Sequence, residues 1–246
     1  MRSVGLSLYA VYCAVSFVVT LPVAALVVAL LSVSNNAASR RRIWVFLNGW
    51  ARLYLWLTGR SVQYMNQPQT PEGYCVAVLN HQSYLDSVAI FPAVPGYFRP
   101  LGKKEIAKIP LFGFIYKQIT LLVDRSSAHS RARSMKLMVR SLRREGHVAI
   151  FPEGTFNETH EEPMLRFYDG AFRLAIEAQA PILPILLPDT ADRWNGVKLW
   201  KMTPGRNRVF YLPLVETTGL TQKDLPQLRD RVRERMAEAM QRLKTS

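Results

Sequence analysis

The sequence predicts an α/β domain built on a mixed, largely parallel sheet flanked by helices, preceded by an N-terminal membrane-embedded helical segment. Three observations carry this. A long uncharged apolar stretch opens the chain, a polar Pro-containing connector follows it, and beyond the connector short apolar runs alternate with amphipathic helical patterns.

From Val4 to Ser39 there is no charged residue, and residues 6–33 are dominated by Leu, Val, Ala and aromatic side chains. That length suffices to cross a hydrocarbon core of about 30 Å. Arg40-Arg41-Arg42 directly after it reads as a cytoplasmic stop rather than a signal-peptide cleavage region, which places the bulk of the chain on the cytoplasmic face. Residues 43–59 stay apolar but include Arg52 with Trp44, Trp50, Tyr54 and Trp56, the composition of an interfacial helix. Because Pro22 interrupts the first segment, the pair fits either a true span or a hairpin dipping into one leaflet. Residues 1–60 thus form an anchor and 61–246 a second domain.

In that domain the connector Met65–Gly73 precedes strand candidates at Cys75–Leu79, Tyr97–Leu101, Thr120–Val123, Val148–Phe151, Ile182–Leu187 and Arg208–Leu212. Helical patterns occupy Ser83–Phe91, Lys104–Ile115, His129–Glu145, Asp169–Ala178 and Leu225–Leu243. The His129–Glu145 pattern sets Arg133, Lys136, Arg140, Arg143 and Arg144 opposite Met135, Met138, Val139 and Leu142. Thr221–Asp224 reads as a capping box for the last helix.

The formal net charge of +14 implies an anionic partner. With a membrane segment present, and with basic residues scattered through an α/β pattern lacking a recognition helix, that partner is a lipid surface or phosphorylated substrate and not nucleic acid. Serine-hydrolase, NTPase and dinucleotide chemistries lack their Gly-x-Ser-x-Gly, P-loop and Gly-x-Gly-x-x-Gly elements. Cys13 and Cys75 both fall in apolar runs and read as structural. His160 among Glu158, Glu161 and Glu162 reads as a solvated acidic loop, so no metal site is expected.

Two stretches carry chemistry. Asn80-His81-Gln82-Ser83-Tyr84-Leu85-Asp86 follows the first apolar run. If His81 lies in the turn before a helix and Asp86 in its first turn, the carboxylate can fix the imidazole tautomer and stabilise the cation formed when the ring takes a proton. Ser83 to Asp86 equally fits a capping box. The second stretch, Phe151-Pro152-Glu153-Gly154-Thr155, leaves a strand through Pro and Gly, as in a backbone nest for an oxyanion or phosphate, or as in an ordinary turn.

Together with Lys103-Lys104-Glu105-Ile106, Pro110-Leu111-Phe112-Gly113, Asp124-Arg125 and Pro181-Ile182-Leu183-Pro184-Ile185, these stretches resemble, in order, the motif blocks of the glycerolipid acyltransferase family, whose best-known members are the 1-acyl-glycerol-3-phosphate acyltransferases. The resemblance runs from about Val78 to Leu187. It implies His81 as general base oriented by Asp86, with Lys103 and Arg125 holding the acceptor's phosphate and Glu153, Gly154 and Thr155 completing the acceptor site. It further implies transfer of an acyl chain from acyl-CoA or acyl carrier protein to a lysophospholipid among membrane lipids, with no covalent acyl-enzyme and no cofactor. The sequence departs from the pattern at Phe156-Asn157 and at Phe167-Tyr168-Asp169-Gly170, where the family usually places Arg or Ser and a Lys. Lysophosphatidic acid is the expected acceptor; a different lyso-lipid, or a non-catalytic lipid-binding protein on the same fold, is the alternative.

Overall fold

The computed structural model describes residues 2–66, 73–123, 127–158 and 161–245. It opens with two antiparallel helices, α1 (Arg2–Ser32) and α2 (Ala37–Leu57), the second capped by the Asn36 side chain, which accepts the Ser39 N–H at 2.9 Å. α1 runs uninterrupted through Pro22. Its small residues Ala10, Cys13, Ala24 and Ala25 are buried, while Leu8, Val15, Val19, Val23, Leu26 and Leu30 stay exposed along its length. The Leu8–Ser32 stretch has a mean hydropathy of 2.6, long and apolar enough to cross a membrane by length and composition.

Among the described residues seven strands form one sheet: β1 (Arg60–Met65), β2 (Val76–Leu79), β3 (Phe98–Lys103), β4 (Leu121–Val123), β5 (His147–Ile150), β6 (Ile182–Leu186) and β7 (Gly205–Tyr211). Their order is β1-β7-β6-β2-β5-β3-β4, every pairing parallel except β6 with β7. The central strands read as continuous apolar runs because helices cover both faces. Cys75, Ala77 and Leu79 point into one core with α1, α2, α3 (Asp86–Ala93) and α4 (Phe112–Ile119). Val76 and Val78 point into the other, with α5 (Ala128–Arg144), α6 (Gly170–Ala178) and α8 (Leu225–Thr245).

The elements follow the sequence with three differences. β1 was not legible, being an edge strand with a mostly polar pattern. The helix expected over Lys104–Ile115 is a 3₁₀ turn, Lys104–Lys108, and then α4, because Pro110 holds Ile109 extended and ends the first piece. A short helix, α7 (Thr190–Arg193), follows β6. The capping box at Thr221–Asp224 is present, as is the expected amphipathicity of α5, with Met138 and Leu142 buried.

The helical hairpin is fastened to the domain at both ends. At its open end the Tyr9 hydroxyl donates to the Thr58 carbonyl and Tyr12 to that of Leu57, which ties α1 to the end of α2, and Ala10 and Cys13 are buried against Met202 of the domain. Near the turn Arg40 pairs with Glu145 at 3.4 Å, and midway along α2 Asn48 donates to the Phe91 carbonyl at 2.9 Å.

Candidate active site

Three neighbouring strands, β2, β5 and β3, end on the same side of the sheet, and ligands of open α/β sheets bind beyond such carboxyl ends. Asn80, fully buried, closes the first loop against β6: its side chain accepts the Leu187 N–H at 2.7 Å. The chain then bends and α3 begins at Asp86, so the five-residue separation places both side chains inside one turn.

His81 Nδ1 lies 2.9 Å from Asp86 Oδ2. The same oxygen accepts the backbone N–H groups of Gln82 and Ser83 at 2.8 and 2.9 Å, and the Asp86 side chain is fully buried. A carboxylate only accepts, so in this contact Nδ1 is the donor, and Nε2 is the ring nitrogen that Asp86 does not engage. Phe151 stacks on the imidazole at 4.1 Å between centroids and Phe156 closes on it at 4.2 Å. Half of a capping box is realised: Asp86 reaches back to Ser83 N–H, while the Ser83 hydroxyl turns away to donate to the Trp194 carbonyl and accept the Leu85 N–H.

The loop after β5 clamps His81 by its backbone. Glu153, 2% exposed, accepts the His81 N–H at 2.8 Å with one oxygen and the Leu165 N–H at 2.9 Å with the other. Burial raises its pKa, and those two N–H donors oppose the rise. Asn157 N–H donates to the His81 carbonyl at 2.9 Å. Between them Gly154 takes a φ of +66°, a conformation that favours glycine, and its N–H closes a turn on the Phe151 carbonyl.

His81 opens onto a cavity of about 520 Å³, lined at that end by Tyr84, Gly154, Thr155, Phe156 and Trp194, and elsewhere by apolar side chains of α3, α4 and the hairpin, among them Leu21, Leu47, Ile90, Phe91, Ile115 and Ile119. Lys103, exposed at the end of β3, is on its wall. The Tyr116 hydroxyl lies over Gly102, where a Cβ would come within 1.6 Å of its oxygen. Burial pushes Tyr116 up to about 12, partly opposed by the Lys103 backbone N–H.

Residues 61–187 match the family model described as Acyltransferase, just over half of the chain. The chain belongs to the acyltransferase family. It is 36% identical over 172 residues to the 1-acyl-sn-glycerol-3-phosphate acyltransferase alpha of Ovis aries, covering 69% of this chain and 59% of that protein. With the beta enzyme of Homo sapiens it shares 31% over 224 residues, 90% of this chain and 78% of that protein. The chain therefore spans about three-fifths of the length of the alpha-type relatives. Its fold is that of the 1-acyl-sn-glycerophosphate (LPA) acyltransferase PlsC from Thermotoga maritima, with a TM-score of 0.76 and 19% identity over 100% of this chain and 97% of that one.

Of the family positions read from the sequence, the structure brings His81, Asp86, Glu153, Gly154, Thr155 and Lys103 to one end of the sheet. Arg125, with Asp124, lies outside the described residues, as does His160. Glu153 has both carboxylate oxygens engaged by backbone N–H groups. Three contributors escaped sequence reading. Asn157 reads in the sequence only as a departure from the motif, Leu165 supplies a backbone donor that leaves no mark on residue type, and Trp194 comes from a loop with no periodicity. Its indole is 5.6 Å from the Tyr84 ring.

Proposed function

We propose that this protein transfers an acyl chain from an acyl thioester, acyl-CoA or acyl carrier protein, to the sn-2 hydroxyl of 1-acyl-glycerol-3-phosphate, giving phosphatidic acid. The observation that carries the reading is the His81–Asp86 contact at the mouth of a largely apolar cavity. The names of the relatives support the acceptor.

His81 Nε2 takes the proton of the acceptor hydroxyl as that oxygen attacks the thioester carbon. Asp86 stabilises the imidazolium that forms. The tetrahedral intermediate collapses, the C–S bond breaks, and the imidazolium returns its proton to the departing thiolate. No acyl-enzyme intervenes. The turn at Gly154 and Thr155 is the candidate nest for the oxyanion or acceptor, and Lys103 and Arg125, with Lys104 and Arg166, supply cations for the phosphate. The cavity takes the acyl chain, whose transfer from water is favourable.

The hairpin of α1 and α2 is the membrane attachment. Fastening to the catalytic domain through Met202 at one end and Glu145 at the other favours lying along one leaflet, at the cytoplasmic face, over a perpendicular span. Purified protein given labelled acyl-CoA or acyl carrier protein and a panel of lyso-lipids tests the reading. Phosphatidic acid formed from lysophosphatidic acid supports it, and transfer confined to another headgroup would make Phe156, Asn157 and Tyr168-Asp169 specificity determinants instead.

A further inference from the structure

Beyond the site, the loop between α7 and β7 carries a feature the proposed chemistry leaves unused. Val197, Leu199 and Trp200 are 56%, 49% and 66% exposed within four residues, and Lys198 and Lys201 alternate with them. Such side chains scattered singly are ordinary; three within four residues point to a contact surface.

The loop is an ordered scaffold. Asn195 Oδ1 accepts the N–H groups of Val197 and Lys198 at 3.0 and 2.7 Å, Lys201 N–H donates to the Lys198 carbonyl, and Asn195 N–H donates to that of Lys201. Trp194 and Met202 pair as an antiparallel bridge at its base. That base packs against the start of α1, where Met202 is buried with Ala10 and Cys13. The loop therefore sits beside the first turns of α1, whose exposed apolar residues Leu8, Val11 and Tyr12 lie round the helix from that contact.

We propose that residues 195–201 form a second membrane contact, in which Val197, Leu199 and Trp200 enter the headgroup layer and Lys198 and Lys201 meet the phosphates of anionic lipids. Trp settles at the interface because its ring is apolar with one polar edge, and lysine reaches the headgroups over its own apolar stem. The inference rests on the hairpin being the membrane attachment. It also has a consequence for the site. The Trp194 carbonyl accepts the Ser83 hydroxyl and the indole lines the cavity into which His81 opens, so the loop carries the cavity's wall on the bilayer.

The test uses the full-length protein with Leu199→Cys, labelled with an environment-sensitive fluorophore and bound to vesicles of phosphatidylcholine and phosphatidylglycerol. Both native cysteines are buried, and burial pushes the Cys75 thiol up to about 12, which favours the introduced thiol. Gln241→Cys on α8, packed on the other face of the sheet, is the control. The expected result is a blue-shifted Leu199 label quenched by nitroxide phospholipids and shielded from iodide, with the Gln241 label neither shifted nor quenched. A Leu199 label on vesicle-bound protein that iodide reaches and nitroxide lipid does not would overturn the proposal. So would a label shielded without lipid quenching, which would place a second copy of the chain on the loop. In a second arm, Lys198→Gln and Lys201→Gln each raise the apparent KM for acceptor in anionic vesicles roughly fivefold and leave that for a monomeric short-chain acceptor unchanged. An unchanged KM on anionic vesicles contradicts it. The fluorescence arm needs no turnover, so it stands even if the acyl-transfer reading fails.

Discussion

Glu153 holds His81 by its backbone: one carboxylate oxygen accepts the His81 N–H at 2.8 Å and the other the Leu165 N–H at 2.9 Å. Glu153→Gln presents one oxygen and one NH₂ to two N–H donors, so one contact becomes a clash of donors. An unsatisfied buried donor costs about 1–3 kcal/mol. The expected outcome is a lowered thermal midpoint together with reduced kcat, since the imidazole's platform shifts. Thermal denaturation and initial rates on the same preparation check it.

Asp86→Asn separates charge from geometry. The amide oxygen can occupy the place of Oδ2 and still accept from Gln82 and Ser83, so the loop keeps its shape while the imidazolium loses its counter-charge. Turnover should fall by about 10²–10⁴-fold, the range for losing effective general-base catalysis. A small change in thermal midpoint is expected beside it.

The contact of Gly102 with Tyr116 sets part of the cavity's shape. Gly102→Ala forces the tyrosine ring to move, at a cost of about 1–3 kcal/mol for overpacking. Tyr116→Ala removes the ring and enlarges the cavity. Competition assays with acyl donors of different length should show Tyr116→Ala shifted toward longer or bulkier chains, and the double variant should recover the stability that Gly102→Ala loses.

His147 gives the fold a pH dependence. Its Nδ1 accepts the Cys75 N–H at 3.0 Å and burial holds its pKa below the ordinary value. The unfolded chain therefore takes the proton first. Stability is full above the unfolded pKa of about 6.5 and declines as pH falls from there toward the folded value. Urea midpoints between about pH 7.5 and pH 5 should fall, and His147→Asn should flatten that fall.

The central strands and the His81–Asp86 pair were legible because each depends on local sequence: a buried strand is a continuous apolar run, and five residues across one bend is a short reach. The Glu153–His81 clamp was not, since it joins loops 72 residues apart that meet only because β2 and β5 pair. Leu111 shows the same limit. The helix expected over Lys104–Ile115 ran through Pro110, and nothing in a leucine announces a φ of +59°, which the Phe112 N–H contact with the Pro110 carbonyl shapes into a three-residue turn.

The central claim is that His81 acts as general base on a glycerol hydroxyl. The most direct measurement is acyl transfer from labelled acyl-CoA or acyl carrier protein to lysophosphatidic acid by wild type and His81→Ala, with circular dichroism confirming that both are folded. A loss of about 10²-fold or more in kcat with the fold intact is the expected result. Near-normal transfer by His81→Ala would contradict the mechanism.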